Sequence, residues 1–228
     1  MELPHPRISL AIFLVVENAI REAWDILRRQ PCGDLDLLSA AEDPITEKLC
    51  EVLCDQVYSR GRVPGFDRQI FGKPTRESKV KNYNGKHLDK MPDLLLDLVD
   101  RPPVAIPHQD WLFIECKPVD SDHPAGSCYC DKGLIRFVNG GYAWAMQEAM
   151  MVGYTREGYT ISPKLNDALH ERSGTIRTLR FPSQCAKSRA TRFSECVSIT
   201  EHERAFPYVE TGKQAPLITI RHLWLRRD

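Results

Sequence analysis

The chain lacks net charge: 31 Lys and Arg balance 31 Asp and Glu across 228 residues, so the total points to no strongly charged partner. It also lacks a long hydrophobic run. The apolar stretch 8–16 is about half the length of a membrane span. A single Arg7 precedes it and Glu17 follows, which is not the pattern of a secretory leader. No membrane association and a cytoplasmic location are therefore expected. Cysteine is present eight times, yet no C-x-x-C spacing occurs; Cys128 and Cys130 are one residue too close. Together with Cys32, Cys50, Cys54, Cys116, Cys185 and Cys196 they read as reduced thiols rather than a disulfide frame. A zinc site from Cys128, Cys130 and His123 is the alternative. Internal repeats, low-complexity tracts, and helix-turn-helix or zinc-finger patterns are absent as well.

What is present is an ordinary globular composition, 42% hydrophobic and 27% charged, long enough for one domain with a sizeable core. The charge is unevenly spread. Segment 60–90 carries nine Lys/Arg against three Asp/Glu, and 156–192 carries eight against three. Between them, 93–131 holds eight acids and two bases. An acidic centre between basic flanks suits a metal-dependent enzyme that grips a phosphate backbone; solvated surface loops would give the same counts.

Along the chain, Val16, Ala19, Ile20, Ala23, Trp24 and Leu27 keep helical spacing, and Pro31-Cys32-Gly33-Asp34 ends that helix. A second helix is expected from Asp43-Pro44, a capping residue followed by proline. Its apolar stripe is Ile45, Leu49, Val52, Leu53 and Val57. Glu47 shares a second, half-apolar stripe with Cys50, Cys54 and Tyr58. Segment 60–90 is polar and turn-rich, with a strand expected at 66–71.

Two short apolar runs then carry acids where a core strand should have none: Met91-Pro92-Asp93-Leu94-Leu95-Leu96-Asp97-Leu98-Val99 and Trp111-Leu112-Phe113-Ile114-Glu115-Cys116-Lys117. Alternation puts Glu115 and Lys117 on one face. Antiparallel pairing of the two runs would set Asp93 or Asp97 beside Glu115. Burying two unpaired carboxylates costs several kcal/mol, and a hard divalent cation is the simplest compensation.

Pro92-Asp93 followed, after a hairpin-sized gap, by Glu115-Cys116-Lys117 resembles the PD-(D/E)XK nuclease superfamily, over about half the chain. The resemblance implies an α/β (α+β) fold with a mixed central sheet flanked by helices, in one domain: N-terminal helices at 8–58, a catalytic core at 91–160 and C-terminal strands and a helix at 161–228. It implies catalytic residues Asp93, Glu115, Lys117 and Glu47, with Asp93, Glu115 and Glu47 holding Mg²⁺ or Mn²⁺. The implied activity is hydrolysis of phosphodiester bonds, most naturally in DNA, in restriction, defence against mobile DNA or repair. Partners would be DNA and a homodimer or subunits of a defence complex. The alternative is a catalytically silent subunit of the same fold that binds or scaffolds nucleic acid. Lys79, Lys81, Lys86, Arg136 and Gln147 are the candidate nucleic-acid contacts, and Gln147 and Tyr154 loosely resemble a Gln and Tyr of exonuclease branches.

Past the second strand, 131–154 is expected to give two short helices divided at Gly140-Gly141, or one helix sharply kinked there. Strands are expected at 155–161, 175–181, 197–200 and 217–225, with a helix at 163–172. His202-Glu203-Arg204 and Arg221-His222 could touch phosphates.

Overall fold

The computed structural model describes residues 2–29, 35–99, 101–182 and 197–228; Cys32, Cys185, Cys196 and the turn expected at 31–34 lie outside them. Helix α1 (Leu10–Arg29) and helix α2 (Glu42–Val52), which continues through a wider π-type turn at Leu53–Tyr58, open the chain. Strands β1 (Thr75–Arg76), β2 (Leu94–Asp97) and β3 (Trp111–Val119) follow as an antiparallel set. A wide helix, Ala125–Leu134, runs into α3 (Ile135–Val138) and returns the chain to β4 (Glu148–Thr155), parallel to β3. After α4 (Ile161–Glu171) come β5 (Thr178–Arg180), β6 (Val197–His202) and β7 (Ile218–Arg226). Among the described residues the sheet has seven strands in the order β1-β2-β3-β4-β7-β6-β5, with β3-β4 and β4-β7 parallel and the other pairs antiparallel. The chain is thus an α/β protein with a mixed central sheet and helices on it. No helix among the described residues is long and apolar enough to cross a membrane.

The α1 stripe is buried as its spacing requires, with Val16, Ala19, Ile20, Ala23 and Leu27 all solvent-free. Trp24 stacks on Tyr154 of β4 at 5.5 Å, and its indole N–H donates to the Arg226 carbonyl at 2.9 Å. This packs α1 on the sheet face that carries Cys116, Tyr154 and Arg221. Arg221 pairs there with Glu17 of α1 at 2.5 Å, both buried. The opposite face carries Glu115, Lys117, Met151, His222 and Trp224, and the wide helix covers it.

Several expectations need correction. Segment 148–155 is a central strand rather than a helix. All eight of its residues are buried, so the run shows neither helical nor alternating periodicity, and a strand covered on both faces reads as continuously apolar. Segment 155–161 is a turn around left-handed Gly158 rather than a strand. Segment 66–71 is also a turn; Phe66 and Phe71 are buried against each other, and only Phe71 makes a bridge, to Leu98. Arg204 is buried, donating to the Ala143, Trp144 and Met146 carbonyls. His202 and His222 are solvent-free and Arg221 is held by Glu17, so none of these four is presented to a phosphate.

Gly153 explains one of the small residues in β4. A Cβ there would lie 2.5 Å from the indole of Trp224, its neighbour across the ladder. Gly153→Ala is therefore expected to destabilise the protein by about 1–3 kcal/mol through overpacking, read as a lower urea midpoint at unchanged m-value.

Candidate functional site

Asp93 stands one residue before β2, where the β2–β3 ladder ends at the Leu94–Ile114 pair. Continuing that register brings Asp93 opposite Glu115, on the same face. Beyond this point β3 is paired only with β4, so its other edge is open. The backbone N–H of Cys116 would be orphaned there; Asp93 Oδ2 accepts it at 2.6 Å. Asp93 is thus held by the edge that it caps.

Glu115 and Lys117 point to one face, as strand alternation requires. The Lys117 ammonium lies 3.0 Å from Glu115 Oε1, 3.4 Å from Asp93 Oδ2 and 2.5 Å from Glu42 Oε1, and donates to the Cys116 carbonyl at 2.7 Å. Glu115 is fully buried. Arg136 Nη1 donates to its Oε1 at 2.7 Å, and the Tyr142 hydroxyl donates to its Oε2. Gly133 lets the wide helix approach this pair: a Cβ would meet Met151 at 2.7 Å and the Lys117 side chain at 3.2 Å.

The electrostatics follow from burial and crowding. Burial, and then the neighbouring Asp93 charge, push the Glu115 carboxyl up to about 7 despite Lys117 and Arg136. Burial also raises Glu42, against the pull of Lys117. For Lys117 burial works to lower the pKa, but the carboxylates of Glu115, Asp93 and Glu42 together outweigh it and hold the amine above its ordinary value. It therefore stays an ammonium at any physiological pH.

The fourth residue differs from the expected Glu47. Glu47 is half exposed and paired with Arg76 at the sheet edge, and Glu42 takes the place beside Lys117. The helix begins one residue before Asp43, with Ala41 as its N-cap. Five residues along a helix turn the side chain by about 140°, so Glu42 and Glu47 look to different sides. Glu42 shares its line with Thr46, whose hydroxyl bonds Tyr154 at 3.0 Å, and with buried Cys50. That i, i+4, i+8 line was the available signal.

Gln147 is elsewhere, donating to the His5 carbonyl at 2.7 Å. Tyr154 lies on the opposite face, against Trp24 and Thr46. Asp97 is exposed at the far end of β2. Lys79, Lys81 and Lys86 are exposed on a hairpin, 79–90, that overhangs the site region. Arg136 reaches from Glu115 toward the same space, with 41% of its side chain exposed. Cys128 and Cys130 sit in the wide helix, with the buried Cys130 thiol pushed up to about 12. His123 is turned onto Asp120 at 2.8 Å, and Asp120 and Asp122 are both held by Arg156.

Three carboxylates around one point are the donor chemistry of a hard divalent cation. Lys117, between all three, and Arg136, on Glu115, supply the positive charge that offsets them. Among the described residues no group of three or more His, Cys, Asp or Glu side chains is spaced to hold an ion. Neither a family model, nor a curated protein, nor a solved structure matches the chain.

Proposed function

We propose that the protein is a Mg²⁺-dependent nuclease of the PD-(D/E)XK type, hydrolysing phosphodiester bonds in DNA, as restriction, defence or repair requires. The observation that carries this reading is the convergence of Asp93, Glu115 and Glu42 on the Lys117 ammonium. Asp93 and Glu115, with Glu42 as third donor in place of Glu47, would hold the ion. The bound ion would lower the pKa of a water and stabilise the charge that develops on phosphorus.

The chain's own groups do the rest. Lys117 is held charged, so it serves as a donor that orients water and offsets anionic charge rather than as a base. Tyr142 and Arg136 fix the Glu115 carboxylate in one orientation, and the exposed part of Arg136 is placed to meet a phosphate oxygen. Hydrolysis then adds the hydroxyl to phosphorus, and the departing oxygen takes a proton from solvent.

A second reading is the silent subunit, and one observation favours it: both Glu115 oxygens are already engaged by protein groups. One substitution separates the two. Asp93→Asn keeps an oxygen for the Cys116 N–H and removes the charge. Plasmid and single-stranded DNA cleavage in Mg²⁺, absent in EDTA, is expected to fall at least about 10³-fold in this variant. Wild-type protein that cuts neither substrate would leave the silent subunit as the better description, and a variant that cuts as fast as wild type would remove Asp93 from the catalytic machinery.

A further inference from the structure

Beside the carboxylates lies a cleft of about 530 Å³, bounded on one side by hairpin 79–90 and on the other by α3 and the turn after it. Its lining includes Tyr83, His87, Asp89, Lys90, Arg136 and Tyr142. The last two are the residues that clamp Glu115, so whatever fills the cleft lies against the candidate site.

The hairpin is tied down as a wall. Val80 and Lys90 exchange backbone hydrogen bonds at 2.7 and 3.2 Å, and the Asn82 side chain accepts from the His87 N–H at 3.1 Å. Across the cleft, the Tyr83 N–H donates to the Gly140 carbonyl at 3.0 Å and the Trp144 indole donates to the Lys81 carbonyl at 3.0 Å. The Tyr83 ring packs on Phe206 at 4.6 Å. Gly140 has φ of 72°, and a Cβ on it would lie 2.8 Å from both rings. The space is therefore pre-formed by a small satellite core of Trp144, Ala145, Phe206, Tyr208 and Ala215.

We infer that this cleft takes an unpaired polynucleotide strand, seating a nucleotide next to the scissile phosphate, so that the protein acts on single-stranded nucleic acid or on unpaired ends rather than within an intact duplex. The inference rests on the nuclease reading of the neighbouring site. Its size is that of a small-ligand pocket, and a base enters such a pocket only when unpaired and unstacked. Its chemistry is that of strand binding: Lys90 and Arg136 for phosphates, the half-buried Tyr83 ring for a base face, and the side-chain amino groups of Asn84 and Asn139 for base edges. Lys79, Lys81 and Lys86, exposed on the same segment, add positive charge to the wall that supplies Tyr83 and Lys90 to the cleft.

The test is fluorescence anisotropy in EDTA, where binding is read without cleavage. The probes are labelled single-stranded 12-mers of DNA and of RNA and the matching blunt DNA duplex. Wild type should bind at least one strand about tenfold or more tighter than the duplex. Lys90→Ala combined with His87→Ala, both side chains at the cleft rim, should weaken strand binding about tenfold and leave duplex binding unchanged. The tighter of the DNA and RNA strands names the polymer. Duplex binding equal to or tighter than strand binding, or a double variant that binds strands as wild type does, overturns the inference. A protein that binds strands this way but does not cut in Mg²⁺ keeps the cleft and loses the catalytic reading. One that cuts duplex DNA internally while failing the binding test keeps the catalytic reading and loses the cleft.

Discussion

Lys117→Met is expected to lower stability by roughly 3–5 kcal/mol at pH 8 in EDTA, the usual cost of leaving buried charges without their partner. Three carboxylates lie within 3.4 Å of the ammonium that this variant removes. The loss should shrink as pH falls, and the sign follows from Glu115. Its folded pKa, about 7, lies above the ordinary value of 4.5. Between these values the folded state binds a proton that the unfolded state has released, so stability declines as pH rises from about 4.5 to about 7. Without Lys117 the carboxyl rises further, which moves the window upward and enlarges the penalty at pH 8. At pH 5 the Glu115 carboxyl is protonated in both proteins, and the difference between wild type and variant narrows. Urea titrations at pH 5 and pH 8 measure this. A variant equally destabilised at both pH values would mean that Lys117 contributes packing by its stem rather than charge. Cleavage should be lost in the same variant.

Acid should unfold the protein from a different place. Tyr129, His222, Thr200, His202 and Thr178 form one buried hydrogen-bonded chain, with contacts of 2.9, 2.8, 2.6 and 3.1 Å in that order. Every link is satisfied if Tyr129 donates to His222 and each group passes one proton along, which requires both imidazoles neutral. Burial holds His202 down to about 3 and His222 well below its ordinary value. A depressed folded pKa gives stability that is complete above about 6.5 and is lost as pH falls toward about 3, because only the unfolded chain takes up the protons. The slope approaches about 1.4 kcal/mol per pH unit for each histidine. The double variant His202→Gln, His222→Gln should therefore lose roughly 5 kcal/mol less than wild type between pH 7 and pH 4.5. Chemical denaturation at the two pH values reads this directly, and parallel losses in the two proteins would place the acid sensitivity elsewhere. The carboxyls of Glu115 and Glu42, both raised, work in the opposite direction over this range, so the comparison of variants is the clean readout.

Much of this was legible in the chain itself. The period-2 alternation of 111–117 determined that Glu115 and Lys117 share a face. The apolar runs on either side of the Pro-rich connection determined an antiparallel pair, and the helical spacing from Val16 to Leu27 determined the α1 core face. Local pattern suffices there because strand and helix geometry alone fix which residues share a face, whatever covers it. Only the tertiary structure decided that 148–155 is a central strand, since a segment buried on both sides carries no periodic signature. It alone decided that Glu42, and not Glu47, meets Lys117, because the helix starts two residues earlier than its capping pattern suggests and so places Glu42 at its first position, beside the open edge of β3. The placement of Arg136 and Tyr142 on Glu115, and of hairpin 79–90 across Gly140, was likewise a matter of tertiary structure. These contacts join residues far apart in the chain, and nothing in the local preference of either partner encodes the distance between them.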